Sequence, residues 1–550
     1  MEKPKNINRR DFIVKTGLGS AVILSWPLLN SCQSSSYKAT NSELSGDFKP
    51  DIDIELSAAQ SEKALFPGDK TKVWTYESKL INGDKESLQN LPDSFLGPVI
   101  RVKKGQKIRI RFKNKLPEKT IVHWHGMHVP EKYDGHPKDV IDQGETYVYE
   151  YEVMNRAGTY WFHPHPHGRT GPQVYNGLAG LILVTDEEEQ QLNLPQGEFD
   201  LPVVIQDRSF DDNNQLVYLN NGRMDQMTGF LGDKILINGD PEKILNLKSG
   251  CSYRLRFLNG SNSRIYKLAW SDGSPVKIFG IDGSLLTTPE ELPYLMLGPA
   301  KRADVWLDLT NKPEGTELVM KNATFPLEVN AGGMMDDGGM MMEGNGTSLP
   351  QGSEYTVLKI QMNYSGSNDY SLPEQLVKQD YLDPSTAENL SNPRQFVFAM
   401  GHMEWTINGR TWETTGVADD EIVKLGSTEV WELINSENSG GDDGHGMMGG
   451  GGMHGGGMMG NMMSMAHPIH IHQLQFNILE RNIDEVDPEL WNAVKDGFVK
   501  NGWHDTVLLM PGMKAKVIMQ FNDFKGLFIY HCHNLEHEDM GMMRNFKIVE

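Results

Sequence analysis

Short runs in which apolar and polar residues alternate recur from about residue 73 to the end of the chain, set apart by Gly, Pro, Asn and Asp. IRIRFKN at 108–114, TYVYEYEV at 146–153 and GLILVTD at 180–186 form a first series. A second runs through LPVVI at 201–205, ILING at 235–239, YRLRF at 253–257, DVWLD at 304–308 and YTVL at 355–358, and a third opens at QFVF, 395–398. A period of two sends alternate side chains to opposite faces of a sheet, and short strands at this spacing predict sandwiches. The series also share a unit. GPVIRVKKGQKIRIRFKN, LNLKSGCSYRLRFLNG and EIVKLGSTEVWELINS each place a Gly between a short apolar run and a second strand ending in Asn. The expectation is an all-β protein of three β-sandwich domains over 66–187, 188–365 and 390–550, with a polar, Ser-rich flexible tether over 33–65. Residues 332–346 and 439–465, built of Gly, Met, Asp and His without periodicity, read as loops that bury no core.

A length of 550 residues suits several domains, and 38% hydrophobic with 23% charged residues is ordinary globular composition. The net charge of -22 argues against nucleic acid as a partner, because phosphate binding needs a basic surface. The first 32 residues read as an address. NRRDFIVK at 8–15 resembles a twin-arginine export signal, and the apolar stretch 17–29 is short for a membrane span. LNSC at 29–32 resembles a lipoprotein cleavage box with Cys32 as the lipidated residue and membrane anchor. The expected location is periplasmic, reached through the twin-arginine machinery. Of the two other cysteines, Cys251 sits in a strand-like run and reads as a small buried hydrophobe, so no pair remains for a disulfide.

The third cysteine changes the picture. In FIYHCHNLEHEDMGMMR, 528–544, Cys532 stands between His531 and His533, with His537 and Met542 following. Thiolate, imidazole and thioether form a soft ligand set, and a trigonal His₂Cys site with a weak axial Met is the blue-copper arrangement. On a strand, His531 and His533 point together and away from Cys532, which predicts two metal sites back to back. Three further clusters are His123-Trp124-His125, His163-Pro164-His165 and HPIHIH at 467–472. By parity His470 and His472 share one face and His467 takes the other, so His467 joins Cys532, His537 and Met542. Met540 and Met543 flank Met542, and the spacing from Cys532 favours Met542. His128, His136, His402 and His504 have no partner at ligand spacing and read as structural or exposed, and His167 reads as a supporting or cleft residue.

These four motifs in this order resemble those of the multicopper oxidases, and most closely the bacterial copper-efflux oxidases and bacterial laccases. The likeness extends from about Val73 to Glu550 and is carried by WFHPHPHGRTG, HPIHIH and HCHNLEHEDMGMM. It implies three cupredoxin-like domains and four copper ions, with a trinuclear cluster between the first and third domains. Residue by residue, it implies a type 1 copper on His467, Cys532, His537 and Met542, and a type 2 copper on His123 and His470. Two type 3 coppers would lie on His125, His163, His533 and on His165, His472, His531. Electrons would enter at the type 1 site, pass through Cys532 and reduce O₂ to water. Asp134 and Glu538 match the family's acids, as proton relays or as residues that orient ligand imidazoles.

The Met-rich stretches bear on the electron donor. Met334, Met335, Met340, Met341 and Met342 stand beside Asp336, Asp337 and Glu343. Met447, Met448, Met453, Met458, Met459, Met462, Met463 and Met465 stand with His445 and His454 and lead into His467. Thioether sulfur prefers Cu(I), so these residues are expected to capture substrate Cu(I); the alternative is a low-complexity insertion. Met463 stands where the copper-efflux oxidases carry an Asp that binds substrate copper. The leading expectation is a monomeric Cu(I) and phenol oxidase serving copper tolerance. A laccase acting on small organic reductants and a copper-sequestering or scaffold protein are the alternatives.

Overall fold

The computed structural model describes residues 44–327, 349–401, 404–436 and 465–550. The expected export signal, Cys32 and most of both Met-rich stretches lie outside the described residues.

Three sandwiches follow one another along the chain. In the first, the sheet Thr71–Asn82, Ile52–Lys63, Lys107–Asn114, Thr146–Glu152 packs on a five-stranded sheet ordered Leu88–Gln89, Val99–Lys103, Gly180–Thr185, Gly158–Pro164, Val122–His125. The middle sandwich uses the strands from Asp200–Phe210 to Tyr355–Ser365. The third contains the sheet Ile422–Lys424, Met543–Val549, Gly526–Cys532, His467–Ile471, Thr506–Leu509.

The repeated unit has a physical basis. Its first strand (Val99–Lys103, Ile244–Ser249 or Ile422–Lys424) belongs to one sheet, and its second (Lys107–Asn114, Ser252–Asn259 or Thr428–Asn435) to the other. The chain turns the corner between sheets at Gly105, Gly250 and Gly426, with φ of 87°, 76° and 86°, where a side chain would be strained. Each closing Asn ties down loop carbonyls that have no ladder partner. Asn114 Nδ2 donates to Glu118 O and Ile141 O, Asn259 Nδ2 to Arg264 O and Leu297 O, and Asn435 Nδ2 to Met465 O and Met510 O. The second strand also runs parallel to the opening strand of its sandwich in all three cases.

The tether expected over 33–65 needs correction. Ile52–Lys63 is a twelve-residue strand, parallel to Lys107–Asn114 and antiparallel to Thr71–Asn82. Ile52, Ile54, Leu56 and Ala58 alternate into the first core, while its second half stays polar because it lies at the exposed end of the sheet. Of the loop expected over 439–465 only Met465 is described. Met465 and Ala466 are buried in the third core, so Met465 is a packing residue there rather than part of an open loop.

The far face of the middle sandwich is covered as well. Tyr253, Leu255 and Phe257 fill its core, and alternation aims Arg254 and Arg256 the other way, against the first sandwich. Both are about 2% exposed. Arg254 pairs with Glu189 at 2.5 Å and Asp304 at 2.6 Å, and Arg256 with Asp200 at 2.6 Å. Thr159 of the first sandwich donates to Asp304 Oδ1 (2.7 Å) and accepts from Arg256 Nη1 (3.1 Å).

Candidate metal centre

Strand register builds the site. Val122–His125 pairs antiparallel with Gly158–Pro164 so that His123 faces His163. His467–Ile471 pairs antiparallel with Gly526–Cys532 so that His470 faces His531 and Ile469 faces Cys532. Cross-strand partners share a face, so His470 and His531 look toward the first sandwich while Cys532 looks back into the third. Pro468 is accommodated within its strand, and its carbonyl accepts the His533 N–H at 2.6 Å.

Four sets of His and Cys donor atoms result, each within 4.8 Å: His123, His125, His470; His125, His163, His533; His165, His472, His531; and His467, Cys532, His537; a fifth set at the same spacing joins Asp134 to His123 and His472. All eleven His and Cys side chains are buried. Ring nitrogens face one another at 3.3 Å (His123–His470), 3.4 Å (His125–His163 and His163–His533), 3.5 Å (His165–His531) and 3.1 Å (His472–His531). Around Cys532 Sγ, His467 Nδ1 is at 3.4 Å and His537 Nδ1 at 3.8 Å, with the two nitrogens 3.3 Å apart.

The outer ring nitrogens settle which atoms point inward. Nδ1 of His123 donates to Asp134 O (2.6 Å), that of His163 to Pro164 O (2.9 Å) and that of His470 to Asp505 O (2.7 Å). His472 Nδ1 donates to Asp134 Oδ2 (2.8 Å), and His537 Nε2 to the Met227 carbonyl (3.1 Å). Burial pulls the pKa of these rings down, to about 3 at His163 and His467 and about 4 at His165, so they are neutral. Each of the nitrogens facing inward opposite such a donor therefore carries a lone pair. Lone pairs meeting at these distances repel unless a cation lies between them, and two nitrogens about 2.0 Å from one tetrahedral ion stand roughly 3.3 Å apart. Burial likewise pushes the Cys532 thiol up, and a cation at that position would deprotonate it. The donor sets fit metal ions.

Met542 is fully buried, and its backbone bonds to Cys532 (3.0 Å) and to His537 (2.9 Å). Met543 pairs across from His531 and so belongs to the opposite face, while Met540 is only partly buried. Trp405 packs on His537 at 4.2 Å and donates to the same Met227 carbonyl. The other expected capture residues, Met334 to Met342 and Met447 to Met463, lie outside the described residues.

The two acids differ. Burial raises the Asp134 carboxyl well above its usual range, and its Oδ1, 3.6 Å from His123 Nδ1, makes no hydrogen bond among the described residues. Glu538 lies 3.1 Å from His531 Nδ1 and 3.7 Å from His165 Nε2. Burial pushes its carboxyl up, but those imidazoles outweigh burial and hold it at about 2.

The remaining described histidines take supporting places, while His402, His445 and His454 lie outside the described residues. His136 bonds Asn545 (2.9 Å), His128 bonds the Gln473 carbonyl (2.6 Å), His504 is buried beside Asp282, and exposed His167 packs on Trp412. Sequence reasoning missed Asp505, Arg302 and Glu536. Glu536 is buried and takes hydrogen bonds from Tyr218 (2.6 Å), Asn262 (2.9 Å) and Ser263 of the middle sandwich. The short helix Leu535–Asp539 thus spends consecutive side chains on different neighbours. Glu536 holds the middle sandwich, His537 joins Cys532, and Glu538 reaches the histidine cluster. Asp539 takes the Thr170 and Gly171 N–H groups of the first sandwich at 2.9 Å. Acid-rich LEHED was the signal available for these roles.

Comparison with known proteins gives a consistent result. Descriptions of the multicopper oxidase family match residues 72–189 and 386–550. The chain is 31% identical to a multicopper oxidase of Staphylococcus haemolyticus, over 83% of this chain and 82% of that one. It is 28% identical to a laccase of Bacillus stratosphericus, over 87% and 91% of the two chains. The crystal structure of the McoA multicopper oxidase from Aquifex aeolicus superposes with a TM-score of 0.71 at 30% identity, covering 92% of this chain and 97% of that one.

Proposed function

The chain belongs to the multicopper oxidase family, and from that premise we propose a four-copper oxidase that takes electrons singly from Cu(I), and also from phenols, and delivers them to O₂. It is an oxidoreductase that carries copper. His467, Cys532, His537 and Met542 would hold the type 1 copper, and His123 with His470 the type 2 copper. His125, His163, His533 and His165, His472, His531 would hold the type 3 pair. When bound, copper supplies reversible one-electron redox at the type 1 position and, at the three clustered positions, the four-electron reduction of O₂ to water.

The observation that carries this reading is the run His531–Cys532–His533. Cys532 belongs to one donor set, while each neighbouring His belongs to a different set on the other face. The backbone at Cys532 is therefore a covalent path from the donor-side site to the oxygen-side site. Met227 and Trp405 keep water from His537 and fix its ring. Asp134, its carboxyl pKa raised by burial, stands at the His123–His472 edge, where it accepts from His472 Nδ1 and can take up and release a proton. Glu538 stays ionised beside His531 and His165, where it orients those rings and receives and passes protons as a carboxylate.

Replacing Glu538 by Gln is expected to slow oxygen uptake by about 10²–10⁴-fold, the usual worth of a positioned acid–base group. Reduction of the type 1 site by donor should stay fast, so the blue colour would bleach and return slowly under air. Stopped-flow absorption checks this, and unchanged reoxidation would remove Glu538 from the proton path.

Cu(I) as donor rests on the Met-rich stretches before His467, and the organic alternative on similarity to the Bacillus laccase. Oxygen uptake compared across Cu(I), Fe(II) and a phenol tests the choice. Cu(I) at low concentration should be the best donor, and deleting 440–462 should lower its turnover while sparing the phenol. A holoprotein without a blue band, or with fewer than four coppers, would favour a sequestering or scaffold role instead. The twin-arginine and Cys32 signals support export to the periplasm and anchoring there, consistent with copper tolerance.

A further inference from the structure

The histidine cluster has a hidden symmetry, and one residue of it has no assigned role. His123 and His125 on Val122–His125 are matched by His470 and His472 on and after His467–Ile471. The rings interleave in two stacks, His123 on His472 at 3.7 Å and His125 on His470 at 3.6 Å. Each stack is served by one aspartate in the same way. Asp134 takes the His123 Nδ1–H on its backbone carbonyl (2.6 Å) and the His472 Nδ1–H on its carboxylate (2.8 Å). Asp505 takes the His470 Nδ1–H on its backbone carbonyl (2.7 Å) and faces His125 Nε2 with its carboxylate at 3.2 Å.

The consequence at His125 is specific. Its Nδ1 points at His163 Nε2, 3.4 Å away, so His125 offers Nδ1 to the cluster whereas His470 offers Nε2. That requires His125 to carry its proton on Nε2, and a carboxylate oxygen, which can only accept, enforces it. Thr506 Oγ1, also near His125 Nε2 at 3.3 Å, donates to the same Asp505 oxygen at 3.0 Å.

The symmetry breaks at the far side of the two aspartates. Asp134 Oδ1 makes no hydrogen bond among the described residues. Both Asp505 oxygens are gripped by Arg302, Nη1 to Oδ1 at 2.7 Å and Nη2 to Oδ2. Arg302 comes from the middle sandwich, is fully buried, and is itself fixed by Thr159 O (2.9 Å) and Ala300 O (3.0 Å). Gly126, directly after His125, packs so closely that a β-carbon there would collide with Asp505 Oδ2. A two-pronged guanidinium–carboxylate grip fixes orientation as well as position.

We infer that Asp505, clamped by Arg302, is a positioning residue that decides which ring nitrogens His125 and His470 present to copper. The middle sandwich, which supplies no member of these donor sets among the described residues, thereby sets the geometry of the oxygen-reducing site. This rests on the copper-oxidase reading above.

The test uses copper-loaded full-length protein and three readouts: copper per chain, blue absorption, and the EPR splitting of the type 2 copper. In Asp505→Asn and Arg302→Met the blue band should keep its wild-type intensity. The type 2 splitting should change, and oxygen uptake should fall roughly 10–100-fold, the usual cost of removing a partner of a metal ligand. Arg302→Lys, which keeps the charge but loses the fork, should fall between. If neither disruptive variant accumulates, Asp505→Glu displaces the carboxylate without removing it and should alter the same splitting. Unchanged EPR with uptake within twofold of wild type would overturn the inference, as would equal loss of the blue band, which marks a general collapse. A wild-type protein without blue colour or oxygen uptake would instead sink the oxidase reading itself.

Discussion

Cys532→Ser is expected to abolish the blue absorption and cut oxygen uptake at least about a thousandfold, equivalent to roughly 4 kcal/mol of barrier. Serine presents a hard hydroxyl where the site has a soft sulfur facing His467 and His537, so the type 1 position loses both its copper preference and its charge-transfer colour. The fold should persist. The backbone bond from Cys532 N to Met542 O (3.0 Å) and the pairing with Ile469 do not involve the side chain. None of the three all-histidine sets contains residue 532, so their copper should remain. Metal analysis should therefore find a loss confined to one ion. Retained blue colour, or uptake within tenfold of wild type, would show that electrons take another route.

Asp304→Ala is expected to cost about 3–5 kcal/mol of stability, because it strips a partner from two buried arginines. Asp304 lies 2.6 Å from Arg254 and 3.6 Å from Arg256, and accepts from Thr159 across the boundary with the first sandwich. The sign with pH follows from its titration. Burial would raise the Asp304 and Asp200 carboxyls, but the arginine pair outweighs it and holds both below the usual range. A depressed carboxylate contributes stability that is whole above about pH 4 and lost as pH falls through its folded value. Denaturant unfolding of wild type and variant should thus differ most at neutral pH and converge in strong acid. A gap that widened on acidification would contradict the assignment.

Much of the site was legible because its geometry is a consequence of strand parity. Side chains two apart on a strand share a face whatever the rest of the protein does, so His470 with His472, and Cys532 against His531, could be sorted from spacing alone. The repeated Gly and closing Asn were legible for a similar reason, since each answers a local need at a corner of the chain. What stayed hidden depends on a second body. Arg254 and Arg256 alternate like solvent-facing residues, and only the first sandwich seated over them makes them interior. Arg302 and Asp505 are 203 residues apart, and no local pattern announces that one grips the other. The strand Ile52–Lys63 escaped notice because Ala and Ser fill its middle and polar residues its end, so its pairing comes from neighbours rather than from its own hydrophobicity.

Every donor set among the described residues includes a side chain beyond residue 466, and three of the five also need the stretch from His531 to His537. Among the described residues, a chain still being synthesised therefore offers copper only incomplete donor sets until nearly its last strands. Metal affinity arrives as a late, collective property, and a truncated chain cannot assemble the redox centre. Once formed, the three all-histidine sets work as staples between the two ends of the sequence. Thermal stability should then rise with free copper by mass action, so the melting temperature reads out how many chains are both complete and loaded.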